Sequence, residues 1–126
     1  MNPIRMSRVE SAVRIIIELN HAFNSHDHEK MLGLFSEDIR FEDVLADSGG
    51  VTYSGPNNVA QYFKDRFQQY PGIQLEQEEL FGFGNRCILR WKAILDKNAL
   101  ESGSFRGISL FQVRNGNVAE IVSYAR

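Results

Sequence analysis

The sequence predicts an α+β domain: three helices, all in the N-terminal half, packed on a curved, mainly antiparallel sheet. Three observations predict it. Apolar residues recur at helical spacing as far as Tyr70, and from Ile73 onward they lie in extended runs. Those runs are separated by hairpin signals, of which Asn115-Gly116 is the strongest. Helices first and long hairpins afterwards argue against a parallel βαβ sheet. The 126 residues show no linker, repeat or low-complexity segment, so one domain over 1–126 is expected. A chain of this size buries roughly two-thirds of its unfolded surface, enough to fold without disulfides or a structural metal.

The first helix is signposted by Ser7 and Glu10, which form an S-x-x-E capping box. Val9, Val13, Ile16, Asn20 and Phe23 follow at helical spacing, and Ile15, Ile17 and Leu19 widen the apolar stripe toward a helix covered on more than one side. It ends near Asn24-Ser25-His26. Asp27 caps a second, short helix through Phe35, with Met31, Leu32 and Phe35 inward. Ser36-Glu37-Asp38 is expected to turn the chain into a strand from Ile39 to Val44, where Ile39, Phe41 and Asp43 share one face. A polar loop with Asp47-Ser48-Gly49-Gly50 follows.

Gly55-Pro56 opens the third helix, its proline at the first helical position where a missing N–H costs nothing. Val59, Phe63, Phe67 and Tyr70 mark its buried face, and Pro71-Gly72 stops it. Strands are then expected over Ile73 to Gly82, Cys87 to Leu95, Gly103 to Arg114 and Asn117 to Ala125, with turns at Gly84-Asn85 and Asn115-Gly116.

Composition narrows the function classes. Hydrophobic residues make up 43% and charged residues 24%, close to the globular average. A net charge of −2 and a pI near 5.9 argue against a nucleic-acid partner, which calls for a basic face. No apolar run approaches membrane-spanning length and no hydrophobic signal core opens the chain, so a soluble, cytoplasmic protein with no membrane partner is expected. The single cysteine, Cys87, sits in an apolar stretch and reads as a small buried hydrophobe. His26-Asp27-His28 reads as a solvated helix start, and His21 as surface or pocket according to the rotation of its helix. No phosphate-binding loop, dinucleotide fingerprint, nucleophile elbow or zinc spacing is present, so no cofactor and no metal are expected.

Particular runs sharpen the fold. Phe23-Asn24-Ser25-His26-Asp27, then Leu34 through Asp43, Tyr53-Ser54-Gly55, Arg90-Trp91, Gly107 through Phe111, and Arg114 through Glu120 occur in an order that resembles the SnoaL-like and ketosteroid-isomerase-like families of the nuclear-transport-factor-2-like superfamily. The resemblance covers essentially the whole chain. It implies a cone-shaped roll enclosing a pocket between sheet and helices, and a homodimer formed through the outer sheet face. It says little about the reaction, because the fold carries isomerases, cyclases, hydrolases, dehydratases and plain binding modules.

Asp43 is the candidate catalytic residue. Strand alternation puts it on the face of Ile39 and Phe41, and a carboxylate desolvated among apolar neighbours becomes a usable proton acceptor. In the resemblance, Phe41-Glu42-Asp43 matches the strand-end motif whose Asp is the general base of ketosteroid isomerase. The alternative is an Asp that ends its strand and caps the following loop. The isomerase's oxyanion donors do not carry over: the tyrosine position falls on Leu19 and the protonated-Asp position on Ser109. Losing one such donor removes about 3 kcal/mol of transition-state stabilisation, so standard steroid isomerisation is not expected.

The remaining candidate ligand-binding residues are Leu19, Phe23, Phe41, Tyr53, Phe63, Phe67, Trp91 and Ser109. Trp91 shares a face with Cys87, Leu89 and Ala93, opposite Arg90 and Lys92. The final hairpin leaves two registers open. A two-residue turn at Asn115-Gly116 aligns Ser109 with Val122 and turns Glu120, Val122 and Tyr124 to the pocket; a bulge at Gly116 aligns Ser109 with Ile121 and turns Ala119, Ile121 and Ser123 inward. The expected function is Asp-based proton transfer on a small, largely apolar carbonyl compound, by an isomerase- or cyclase-type protein. The alternatives are a non-catalytic binding module for a small hydrophobic metabolite, and a protein whose dimer surface matters more than its cavity.

Overall fold

A computed structural model describes residues 8–44, 50–99 and 103–125. The expected capping residue Ser7, the turn at Asp47-Ser48-Gly49 and the end of the loop at 100–102 lie outside these residues. Helix α1 runs Arg8–Asn24 and buries Ala12, Ile16, Leu19, Ala22 and Phe23, a stripe at helical spacing. Ile17 is exposed, so the helix presents one broad apolar face and is not covered all round. Asp27 caps α2 (His28–Leu34), its Oδ1 accepting from the backbone N–H of Lys30 at 3.0 Å.

Strand β1 spans Phe35–Val44, so Phe35 and the expected turn Ser36-Glu37-Asp38 are extended backbone at the head of the strand. Phe35 pairs with Val118, and that long-range pairing overrides the local turn preference. Strand β2 (Val51–Ser54) was not separable in the sequence from the approach to the third helix; it pairs antiparallel with β1, Tyr53 opposite Phe41. Helix α3 runs Pro56–Gln69 behind Gly55, whose φ of +88° needs glycine. Strands β3 (Gln74–Phe83), β4 (Arg86–Ile94), β5 (Ser104–Arg114) and β6 (Asn117–Ala125) form the meander.

The six strands make one sheet in the order β2-β1-β6-β5-β4-β3, and only β1 against β6 is parallel. Register shifts in β3 beside Gln77 and in the β5·β6 hairpin beside Gln112 bend the sheet around α1 and α3. The core of Ile16, Met31, Ile39, Val59, Leu89 and Val118 lies between the sheet's concave face and the helices. No helix among the described residues is long and apolar enough to cross a membrane.

Neither expected register of the last hairpin is the one formed. Asn115 and Gly116 take φ of 52° and 79°, and Arg114 pairs with Asn117, as a two-residue turn with both central residues left-handed requires. Ala119 is then skipped, because Val113 pairs with Val118 but Gln112 pairs with Glu120. Ser109 therefore sits opposite Ser123. The bulge reverses the facing that the turn alone dictates, so Ile121 and Ser123 point inward and Tyr124 outward.

Candidate functional site

The concave face and the inner sides of α1 and α3 enclose a cavity of about 210 Å³. Of the expected residues, Leu19, Phe23, Phe41, Asp43, Phe63, Trp91 and Ser109 all line it. Tyr53 and Phe67 do not. Tyr53 pairs at the outer edge of the sheet and packs its ring against Phe41 and Tyr62, at centroid distances of 5.9 and 4.9 Å. Phe67 stands behind Phe23, with the ring of His26 stacked on it at 4.4 Å.

Strand alternation brings Asp43 to the cavity, where it is 8% exposed beside Phe41. Its partner comes from α3: the Tyr62 hydroxyl donates to Asp43 Oδ2 at 3.0 Å. Arg66, one helical turn further on, donates from Nη2 to the Tyr62 oxygen at 2.9 Å. Tyr62 thus bridges a carboxylate and a guanidinium. Burial pushes the Tyr62 hydroxyl up to about 12, with Arg66 pulling the other way, so it stays a donor at neutral pH. Burial pulls the Arg66 guanidinium down, but Tyr62 and Asp43 outweigh this and raise it above the usual arginine value.

Tyr62 and Arg66, the polar pair at Asp43, were missed by sequence reasoning, as was Phe105 on the opposite part of the lining. The sequence signal was a Tyr-Arg pair at i, i+4 flanking the apolar stripe of Val59, Phe63 and Phe67. What it lacks is any mark that this flank turns toward the end of β1.

A second polar group sits in the same cavity. Trp91 Nε1 donates to Ser109 Oγ at 2.9 Å, and Ser109 Oγ lies 2.7 Å from Ser123 Oγ. Gly107, directly opposite Trp91 on β5, makes this possible: a Cβ there would overlap the indole ring. Phe105 holds the other side of the indole edge-on at 5.6 Å. Ser109 and Ser123 are buried, and no buried side-chain polar atom among the described residues lacks a partner.

The other polar candidates lie elsewhere. Cys87 is buried in the core, and burial pushes its thiol up, away from the nucleophilic thiolate. His21 is exposed. His26, at φ 54°, places Nε2 2.7 Å from the Ile73 carbonyl oxygen. Among the described residues no group of three or more His, Cys, Asp or Glu side chains gathers as a metal site would require.

The fold recurs widely among solved structures. An NTF2-like protein of unknown function from Mesorhizobium loti is 24% identical, with 100% of this chain and 99% of that one aligned and a TM-score of 0.81. A provisionally assigned ketosteroid isomerase from Kribbella flavida is 20% identical over 97% of this chain and 82% of that one, TM-score 0.78. A provisionally assigned SnoaL-like polyketide cyclase from Jannaschia is 12% identical over 98% and 91%, TM-score 0.79. At these identities the likeness is one of fold. No curated protein matches the sequence. The SnoaL-like domain model matches residues 16–121, from the middle of α1 to the cavity-facing part of β6, and the chain belongs to the SnoaL-like domain family.

Proposed function

We propose that the cavity binds a small, neutral, largely apolar carbonyl compound and that Asp43 removes a proton from the carbon beside the carbonyl. One observation carries this reading. Asp43 is the sole carboxylate among the described residues lining an otherwise mainly apolar cavity; Tyr62 hydrogen-bonds it and Arg66 in turn holds Tyr62. Tyr62 occupies Oδ2, leaving Oδ1 to act as the base.

Charge balance supports a neutral substrate. With Asp43 ionised, its charge and that of Arg66 cancel across Tyr62. When the proton moves, Asp43 becomes neutral, the substrate becomes an enolate, and Arg66 remains to balance it, so the site keeps zero net charge throughout. The isomerase and cyclase assignments of the neighbours named above agree with proton transfer at carbon. Leu19 lines the cavity, and the resemblance gives that position to the tyrosine donor of ketosteroid isomerase, which argues against standard steroid isomerisation.

A second reading is a binding module in which Asp43 only orients a hydrophobic metabolite; it is favoured by the aromatic lining of Phe23, Phe41 and Phe63. Deuterium exchange next to the carbonyl in a panel of small enones and β-keto esters, followed by proton NMR, separates the two. Wild type is expected to exchange at least one member, and Asp43→Asn to lose roughly 10²–10⁴-fold in rate. An Asn variant with full rate removes Asp43 from the chemistry.

A further inference from the structure

We propose that Ser123, driven by the chain Trp91–Ser109–Ser123, is the hydrogen-bond donor that receives the developing enolate oxygen. The inference rests on the reading of Asp43 as base and adds the second half of that site.

Counting hydrogens leads to it. Indole nitrogen donates only, so the contact at 2.9 Å fixes Ser109 Oγ as acceptor from Trp91. The 2.7 Å contact between the two hydroxyls uses one more hydrogen. Trp91, Ser109 and Ser123 carry one donor hydrogen each, and the two contacts use two of the three. One hydroxyl hydrogen is left over, on a pair of buried serines that both line the cavity. Ser109, already an acceptor from the indole, is the better donor of the two because an accepted bond polarises its own O–H. The chain therefore runs Trp91 to Ser109 to Ser123, and the free hydrogen belongs to Ser123.

Position agrees. Asp43 on β1 pairs with Ser123 on the adjacent strand β6, whereas Ser109 is one strand further away. Adjacent strands are about 4.8 Å apart, a span that one H–C–C=O unit covers between base and donor. Two strands are about twice that, beyond the same unit. In the step, the Asp43 carboxylate takes the proton from carbon, the C–H electron pair becomes the new C=C bond, and the carbonyl oxygen takes the charge. Ser123 keeps its proton and shortens its hydrogen bond to that oxygen. The fold holds both groups on paired strands, so little reorganisation is needed at the moment of reaction.

The chain's single tryptophan is the reporter. Phenols carry an oxygen on an sp² carbon, as an enolate does, and a phenol of lower pKa is ionised to a larger fraction at a given pH. We would titrate ¹⁵N-labelled Asp43→Asn, whose amide stands for the protonated acid, with phenol, p-cyanophenol and p-nitrophenol. The Trp91 indole N–H resonance is expected to move progressively downfield across the series. Adding Ser123→Ala should abolish that trend while weaker binding persists, and adding Ser123→Thr should restore it. On any enone or β-keto ester that wild type turns over, Ser123→Ala should lower kcat by roughly 10²-fold with little change in KM. A trend that survives Ser123→Ala overturns the proposal, as does failure of every phenol to bind. The indole readout needs no base. Absent exchange with the trend intact therefore sinks the Asp43 reading alone, and a missing trend with exchange intact sinks the Ser123 role alone.

Discussion

Tyr62 on α3 hydrogen-bonds Asp43 on β1 at 3.0 Å, joining the helix layer to the sheet at the one carboxylate among the described residues that lines the cavity. This pairing decides how Asp43 responds to mutation. Asn at position 43 keeps an acceptor for the Tyr62 hydroxyl, so Asp43→Asn is expected to leave stability within about 1 kcal/mol. Asp43→Leu removes the acceptor and leaves the half-buried Tyr62 O–H with nothing to donate to, which should destabilise by about 1–3 kcal/mol. Urea unfolding of both variants checks this; equal losses would show that Tyr62 finds another acceptor.

Tyr62 also sets a pH dependence. Its hydroxyl is raised from 10.0 to about 12 in the fold, chiefly by burial, so the native state holds this proton more tightly than the unfolded chain. The stability it contributes is fully present below about pH 10 and is lost as pH rises through about 12. Urea midpoints should therefore fall more steeply above pH 10 in wild type than in Tyr62→Phe. Parallel curves would remove Tyr62 as the cause.

Gly107→Ala is expected to be disproportionately damaging. The added methyl meets the Trp91 ring and the Tyr124 carbonyl oxygen, and neither is a flexible side-chain end. A cost of about 1–3 kcal/mol follows from overpacking, with a changed tryptophan emission spectrum as the ring leaves Ser109. An unchanged spectrum would mean that the strand shifts while the indole stays.

Self-association is expected through the convex face. Ile108, Leu110 and Tyr124 are exposed there, while Phe111, Val113 and Ile121 are buried on the other side; alternation divides the β5 residues, and the register shift beside Gln112 decides the facing of Ile121 and Tyr124. Paired strands place Phe81, Ile88, Leu110 and Val122 in one row across four strands, an apolar stripe of the kind that marks an interface. Light scattering should give about twice 14.4 kDa, and Leu110→Lys should return the mass to 14.4 kDa. A monomeric wild type at micromolar concentration rejects the interface.

The sequence by itself determined whatever short-range chemistry dictates. Asp27 caps α2, Pro56 opens α3, Asn115-Gly116 turns the last hairpin, and alternation from Ile39 through Phe41 puts Asp43 on the inner face. Each depends on residues within a turn or a strand of one another, where steric and hydrogen-bonding preferences act directly. Tertiary structure decided what depends on distant partners. Phe35 became strand because Val118 of β6 offered it a parallel partner, and a shift in the β5·β6 pairing reset the facing of Ser123. Tyr62 sits beside the apolar stripe of its own helix, and only the packing of α3 across the end of β1 brings its hydroxyl to Asp43. No local pattern encodes that contact, because the rotation of a helix against a sheet is set by the whole packed surface and not by the residues it brings together.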